Sequence, residues 1–353
     1  MNRLERMRQQ MLEEKIDAYV VIRPENGRYV SGFTGGEATL FITSERACLL
    51  TDFRYIEQAK AQAPDFEIIK TGLDHFATLS EIGQQALRVG FEGDFITFLS
   101  YGKLKDALPQ AELLSLPDLV SHLRSVKDKS EIELIRQAVR IADDAFAEVL
   151  KTIEIGQTEQ EIGLALEFSM RRAGASGGSF EFIIASGVRS AMPHGTASTK
   201  QIQLGEFLTM DFGAIYQGYC SDITRTVFLG EPGDKHSEVY ETVLAAQRAG
   251  IKAVAPGRTG KEVDAVARKL IEEAGYGDYF GHGLGHSVGL AIHEGPNLNM
   301  REERVLEPGM VITVEPGIYI PDWGGVRIED IVLVTENGCE VLTQAPKEFI
   351  ILE

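Results

Sequence analysis

Apolar and polar positions alternate along the chain with two periods, and the switches between them mark the elements. In "NRLERMRQQMLEEKI", Leu4, Met7, Met11 and Ile16 recur near helical spacing, which predicts an amphipathic helix. "DAYVVIR" is a continuous apolar run short enough for a strand. "ATLFITSERACLLTD" predicts two strands about a turn at Ser44-Glu45-Arg46, "FRYIEQAKAQ" a helix and "RVGFEG" a short strand. This alternation of strands and helices through residue 122 predicts a small α/β domain on a mixed sheet.

The pattern changes at "LRSVKDKSEIELIRQA", where charge clusters and a long helical period begins. Ser130 with Glu133 three residues on reads as a capping box opening a helix over 130–151. Thr158 with Glu161 opens a second helix over 158–173, which Gly174, Gly177 and Gly178 end. Strands are predicted near 180–186, 206–216 and 219–229, helices over 235–254 and 259–274, and closing strands over 310–319, 326–335 and 339–343. The boundary falls within 123–129. The expected domains are therefore 1–124, an α/β unit, and 125–353, an α+β unit with an antiparallel sheet.

Composition narrows the function. The chain has 353 residues, 44% hydrophobic and 25% charged, and looks globular. A net charge of −18 repels phosphate backbones, so nucleic acid is not an expected partner. No apolar run reaches membrane-spanning length, and the charged N-terminus has no signal-peptide core, so neither a membrane nor export is expected. Three scattered cysteines argue against a disulfide framework and for a reducing cytoplasm.

Carboxylates inside apolar strands are the first chemical signal. "LTMDFGAIY" (208–216) echoes "ITVEPGIY" (312–319), each with one acid before an X-Gly pair: Asp211 and Glu315. A second acid follows each, Asp222 after 11 residues and Glu329 after 14. A two-residue turn at Gln217-Gly218 would set Asp211 opposite Thr224 and put Asp211 and Asp222 on one face. Acids on a solvated hairpin need no explanation. These are flanked by Met210, Phe212, Val326 and Ile328, however, and burying unpaired carboxylates costs several kcal/mol each, as an order of magnitude. A divalent cation would resolve the repulsion.

"GHGLGHSVGLAIHEGP" (281–296) holds His282, His286 and His293, three of the chain's seven histidines. Its glycines argue against a regular helix, and Gly295-Pro296 prevent continuation to the helical H-E-x-x-H zinc site. "GHSVG" mimics a nucleophile elbow, but no acid lies between Ser287 and the last histidine, so the serine hydrolase order fails. His194, in "SAMPHGTAS", is a fourth candidate. His75, His122 and His236 are given no role.

Two acids eleven apart, a glycine-embedded histidine, then "EPG" and "ED", resemble the pita-bread metallopeptidases. The leading α/β domain resembles that of the Xaa-Pro branch, prolidase and aminopeptidase P, and of creatinase. The resemblance implies that Asp211, Asp222, His286, Glu315 and Glu329 ligate two metal ions, with Asp222 and Glu329 bridging. It places His282, His293 and His194 among the substrate- and proton-handling histidines, and Arg327 with His194 and His282 among the substrate-binding residues. A shell of four carboxylates and one imidazole favours Mn²⁺, with Co²⁺, Fe²⁺ and Zn²⁺ as other candidates. Two ions about 3.5–4 Å apart would share a hydroxide that attacks the scissile carbonyl. Glu315 would then move the proton and His293 would stabilise the oxyanion, an effect of about 3 kcal/mol. The implied substrate is a dipeptide or short peptide with proline second, and the implied assembly a homodimer. Two other readings stay open: a catalytically silent binding protein on this scaffold, and removal of N-terminal methionine. So does the choice between dipeptidase and aminopeptidase.

Overall fold

The computed structural model describes residues 1–72 and 74–353. The chain divides into two compact units, Met1–Arg124 and Ser125–Glu353.

In the first unit, α1 (Arg3–Glu13) buries Leu4, Met7 and Met11 as their spacing predicts, behind a capping box of Asn2 and Glu5. Six strands follow: β1 (Ala18–Val21), β2 (Thr39–Thr43), β3 (Ala47–Thr51), β4 (Glu67–Lys70), β5 (Arg88–Phe91) and β6 (Glu112–Ser115). They form one sheet in the order β4-β3-β2-β1-β5-β6. Pairing is antiparallel among β1, β2 and β3 and parallel elsewhere, the mixed sheet expected. Between them lie α2 (Pro24–Ser31), α3 (Ile56–Gln62), α4 (His75–Ile82), α5 (Phe98–Ala107) and, after β6, α6 (Asp118–Ser125). Of these only α3 was legible. All five are short, 7–10 residues, and α2, α4, α5 and α6 carry no apolar period clear enough to read.

The second unit opens with α7 (Lys129–Val149), and here the expected cap is corrected. Asp128, not Ser130, is the N-cap: its Oδ1 accepts from the Ser130 and Glu131 N–H groups, and Glu131 reaches back to the Asp128 N–H. A carboxylate two residues earlier caps the orphan amides of a helix that starts one residue sooner, and it also takes the Ser130 hydroxyl at 2.5 Å. The Thr158–Glu161 box opens α8 (Glu159–Arg172) as predicted. Then come β7 (Gly177–Gly178), β8 (Ile183–Ser186), β9 (Glu206–Phe212), β10 (Ala214–Tyr216), β11 (Tyr219–Cys220) and β12 (Ile223–Leu229). α9 (Asp234–Ala253) and α10 (Gly260–Glu273) follow, both within a residue of expectation. The chain closes with β13 (Gly285–Ser287), β14 (Glu294–Leu298), β15 (Val311–Val314), β16 (Gly317–Ile320), β17 (Gly324–Arg327), β18 (Asp330–Thr335), β19 (Gly338–Val341) and β20 (Ile351–Leu352).

Four strands expected to be continuous are each broken in two, and the breaks lie at or next to the acids. β9 and β12 pair with Asp211 opposite Thr224, the register the turn predicts. Gln217 and Gly218 both have positive φ, as a tight hairpin turn requires. The ribbon breaks at Gly213 and at Ser221-Asp222, then resumes as β10 and β11. Gly213 is obligatory because a Cβ there would lie 1.9 Å from the Ser221 carbonyl oxygen. The second ribbon repeats the plan. β15 pairs with β18, breaks at Glu315-Pro316 and at Ile328-Glu329, and continues as β16 and β17. Unpaired backbone at a break frees a side chain from the pleat and re-aims it.

Strand alternation sorts the faces. Leu208, Met210 and Phe212 of β9 pack with Ile141–Val149 of α7 and Ile162–Met170 of α8. Phe207 points the other way, into a core of α9, α10, β15 and β18 residues. Asp211 shares that second parity, and so turns away from α7 and α8. The larger sheets run β20-β12-β9-β8 and β14-β13-β15-β18-β19. Their pairings are antiparallel except for β20 on β12. β13 and β14, in the glycine-rich stretch, were not anticipated. Among the described residues, no helix is long and apolar enough to cross a membrane.

Candidate metal centre

The two broken ribbons meet through Thr224. Its carbonyl accepts the Glu329 N–H at 3.1 Å, and its hydroxyl donates to Glu329 Oε2 at 2.7 Å. On the opposite face, neighbouring Arg225 and Asp330 form a fully buried ion pair at 2.7 Å, so each crossing is fixed from both sides. This junction brings Asp211, Asp222 and Glu329 together, with one carboxylate oxygen of each within 4.8 Å of the others. All three are buried.

His286 completes the cluster from β13, where the pairing with β14 slips between His286 and Ser287. Its Nδ1 lies 3.1 Å from the Ser287 carbonyl, which fixes the proton there. Nε2 is left facing Glu315 Oε1 at 3.3 Å and Asp222 Oδ2 at 3.6 Å. Burial pushes the imidazole below its ordinary pKa, so a neutral ring faces two carboxylates. Thr313 ties Glu315 to the same strand: it accepts the His286 N–H and donates its hydroxyl to Glu315 Oε1, both at 3.0 Å.

Arg327 supports the cluster from behind. Nη2 donates to Asp211 Oδ2 at 2.5 Å, Nε to Thr224 Oγ1 at 3.0 Å and Nη1 to the Tyr319 hydroxyl at 2.7 Å. Tyr319 in turn lies 3.0 Å from His282 Nε2, while His282 Nδ1 contacts the Gly283 carbonyl at 2.7 Å. Burial lowers the His282 pKa. Burial, then repulsion among neighbouring carboxylates, pushes Asp222 and Glu329 well above the usual range, and burial also raises Glu315.

A cavity of about 840 Å³ opens onto these groups. His194, Asp211, Asp222, His282, His286, His293, Glu315, Arg327 and Glu329 all line it, so the nine residues singled out in the sequence meet in one place. His194 and His293 sit on its exposed side. The His293 ring packs edge-on to His286, with centroids 4.4 Å apart. The lining also contains Tyr319, and Thr224 and Thr313 stand behind it; none of the three was singled out. Their only signal was position, two residues from an acid on the same strand face for each threonine. The elbow mimic is structural: Ser287 is fully buried and donates to the Pro296 carbonyl at 2.9 Å.

The family model of metallopeptidase family M24 matches residues 133–336, more than half of the chain. The chain belongs to metallopeptidase family M24. The first unit of this M24 peptidase matches the creatinase/prolidase N-terminal domain over residues 3–126. A Xaa-Pro dipeptidase of Pyrococcus furiosus is 42% identical over 349 residues, covering 99% of each chain. Two solved structures share the fold over 99–100% of both chains. The Xaa-Pro dipeptidase of Bacillus anthracis is 48% identical with a TM-score of 0.95, and the X-Pro aminopeptidase of Thermotoga maritima 40% identical with a TM-score of 0.91.

M24 metallopeptidases use divalent metal ions, and the residues present fit them. Among the described residues, Asp211 Oδ1 and Glu329 Oε1 are buried side-chain oxygens without a hydrogen-bond partner. Leaving such an atom unsatisfied costs roughly 1–3 kcal/mol, more when it is charged. Oxygen-rich clusters with one neutral imidazole are a donor set for divalent cations.

Proposed function

We propose that this M24 metallopeptidase is a metallo-exopeptidase that hydrolyses the bond between an N-terminal residue and a following proline. Its substrates are dipeptides or short peptides, and it uses two divalent ions, Mn²⁺ foremost. In this reading Asp211, Asp222, His286, Glu315 and Glu329 hold the ions, and Asp222 and Glu329 serve both. The observation that carries it is the convergence of Asp211, Asp222 and Glu329, with two buried oxygens left unpartnered. The proline preference is supported by relatives named Xaa-Pro dipeptidase and X-Pro aminopeptidase, similar along their whole length. The homodimer and the cytoplasmic location belong to the same reading, which the resemblance and the three free thiols support.

The ions, when bound, supply Lewis acidity toward the scissile carbonyl and lower the pKa of water. The chain's own groups do the rest. Glu315, aimed by Thr313, takes the proton of the attacking water and returns it to the leaving nitrogen. Burial first, then neighbouring His286, holds His293 below its ordinary pKa. Its neutral ring therefore keeps an N–H to donate as charge builds on the carbonyl oxygen. His282 acts from the pocket wall for the residue after the cut, in an orientation set by Gly283 and Tyr319, and His194 lines the same side. Arg327 lines the pocket beside them as a substrate-binding group, and its hydrogen bond to Asp211 Oδ2 orients that carboxylate at the pocket edge. A prolyl amide carries no N–H, so the site needs no acceptor for one.

The test is elemental analysis of the purified protein, then cleavage of Ala-Pro, Ala-Pro-Ala and Met-Ala-Ala side by side with Mn²⁺. Bound ions with cleavage before proline support the reading. A protein that takes up no divalent ion, or that prefers Met-Ala-Ala, overturns it.

A further inference from the structure

Lys127 lies only a few residues before the first helix of the second unit, yet its side chain is 1% exposed. Its ammonium contacts Glu294 Oε2 at 3.2 Å and the Ser125 carbonyl at 3.3 Å. The Glu294 side chain is itself only 6% exposed. An ion pair buried this deeply, 167 residues apart in sequence, is not needed for packing. An apolar pair of similar volume is often as stable, whereas breaking one partner of a buried pair is costly. What the pair adds is direction.

Glu294 directly follows His293. It opens β14 opposite Ser287, where the β13 register slips beside His286. Its other oxygen, Oε1, accepts the Ala291 N–H at 3.0 Å. Gly289 leaves the room this requires, since a Cβ there would lie 2.6 Å from Glu294 Oε1. The Gly289 N–H donates to the Ala291 carbonyl, closing a tight turn over residues 289–291, and the Gly289 carbonyl accepts the Cys220 N–H at 2.8 Å. The segment carrying His293 is thus drawn inward by one carboxylate, and that carboxylate is held by Lys127. The His293 side chain is exposed, and among the described residues its ring packs against one other ring, that of His286, so its packing fixes it weakly.

We propose that Lys127 is a positioning residue for the peptidase reaction, acting through Glu294 to fix the His293 ring against the cavity. The proposal rests on the role given to His293 above. Its consequence is that loss of the Lys127 charge costs turnover in the same way as loss of His293, without touching the ions.

The experiment has two arms, both on the full chain. In the first, K127M, H293A and the K127M/H293A double variant are assayed on Ala-Pro-Ala with Mn²⁺, with metal content measured in parallel. The expected result for K127M is a fall in kcat of about tenfold or more, with KM within about twofold and metal content unchanged. In the H293A background K127M should cause no further fall, and K127R should recover most of the activity. Additive losses in the double variant would overturn the proposal. In the second arm, histidine-labelled, metal-free protein is followed by NMR. K127M should shift or broaden the His293 ring signals and leave those of His75 and His236 in place. Unmoved His293 signals would overturn the proposal irrespective of catalysis. If H293A alone keeps full kcat, the role of His293 fails instead, and the ring signals alone decide the Lys127 link. Should K127M not fold, E294Q, which removes the same charge pair from the other side, enters both arms.

Discussion

Arg327 donates to Asp211 Oδ2 at 2.5 Å and at the same time to Thr224 and Tyr319. Three nitrogens of one planar group thus hold an acid from the first ribbon, the threonine that joins the ribbons and the tyrosine that orients His282. A lysine at this position keeps the charge but is a point donor on a flexible stem. R327K should therefore weaken metal affinity and kcat by about 10- to 100-fold each, the usual range for groups that orient metal ligands. Isothermal titration with Mn²⁺ and steady-state kinetics check this. Wild-type behaviour of R327K would mean that the fork geometry is irrelevant.

The acids should separate from the histidines when substituted. D222N and E329Q are expected to lose both metal and activity, because each removes charge from the centre of the cluster. H293A should keep its metal and lose roughly 10²-fold in turnover, the scale of one oxyanion donor. Stripping the ions with a chelator should lower the melting temperature of the wild type, since ions that bind only the folded state stabilise it by mass action. The same chelator should leave the melting temperature of D222N unchanged. Normal uptake of two ions by D222N would remove the bridging assignment.

Tyr319 carries a test of the inner network. Burial raises its hydroxyl pKa to about 12, so it stays protonated and passes a hydrogen bond from Arg327 to His282 Nε2. Y319F leaves an Arg327 N–H and a His282 nitrogen without their partner, at a cost of about 1–3 kcal/mol in stability. Metal content should not change, because Tyr319 touches neither Glu315 nor Glu329 through a hydrogen bond. Denaturant unfolding and elemental analysis on one sample check both expectations, and loss of metal in Y319F would refute the separation.

The residue types of the site were legible before the fold, and their support was not. Asp211 and Asp222 stood out because a carboxylate inside "FLTMDFGAIY" or beside "ITRTVFL" conflicts with an apolar strand, and a conflict of that kind has few physical resolutions. The hairpin register followed from one turn, and the structure has Asp211 opposite Thr224. What the pattern could not convey was that each ribbon breaks beside its acids. Pro316 and Gly213 hint at it, but the break depends on Ser221 approaching Gly213 across the hairpin. Thr224 and Thr313 were invisible for a related reason. A threonine on a strand is ordinary, and only the crossing of two ribbons turns Thr224 toward Glu329. The Ser130 cap failed because two good capping residues lie two apart, and the choice between them depends on where the preceding chain enters.

Glu302 links the cavity wall to pH. Burial alone would raise its carboxyl, but the Arg304 guanidinium and the Asn297 and Arg304 N–H groups outweigh it and hold the pKa down to about 2. Asn297 lines the cavity, so this carboxylate anchors the strand after His293. An ordinary glutamate in the unfolded chain titrates near 4.3. A folded pKa below the unfolded one means stability that is fully present above about 4.3 and lost as the pH falls toward 2. E302Q removes this contribution at every pH. In chelator-treated protein the fall in urea midpoint between pH 6 and pH 3 should therefore be smaller for E302Q than for the wild type, with E302Q the less stable at pH 6. Other carboxylates titrate equally in both proteins and cancel in the comparison. Parallel curves would show that Glu302 is ordinary in the folded chain and that its contacts with Asn297 and Arg304 carry no stability.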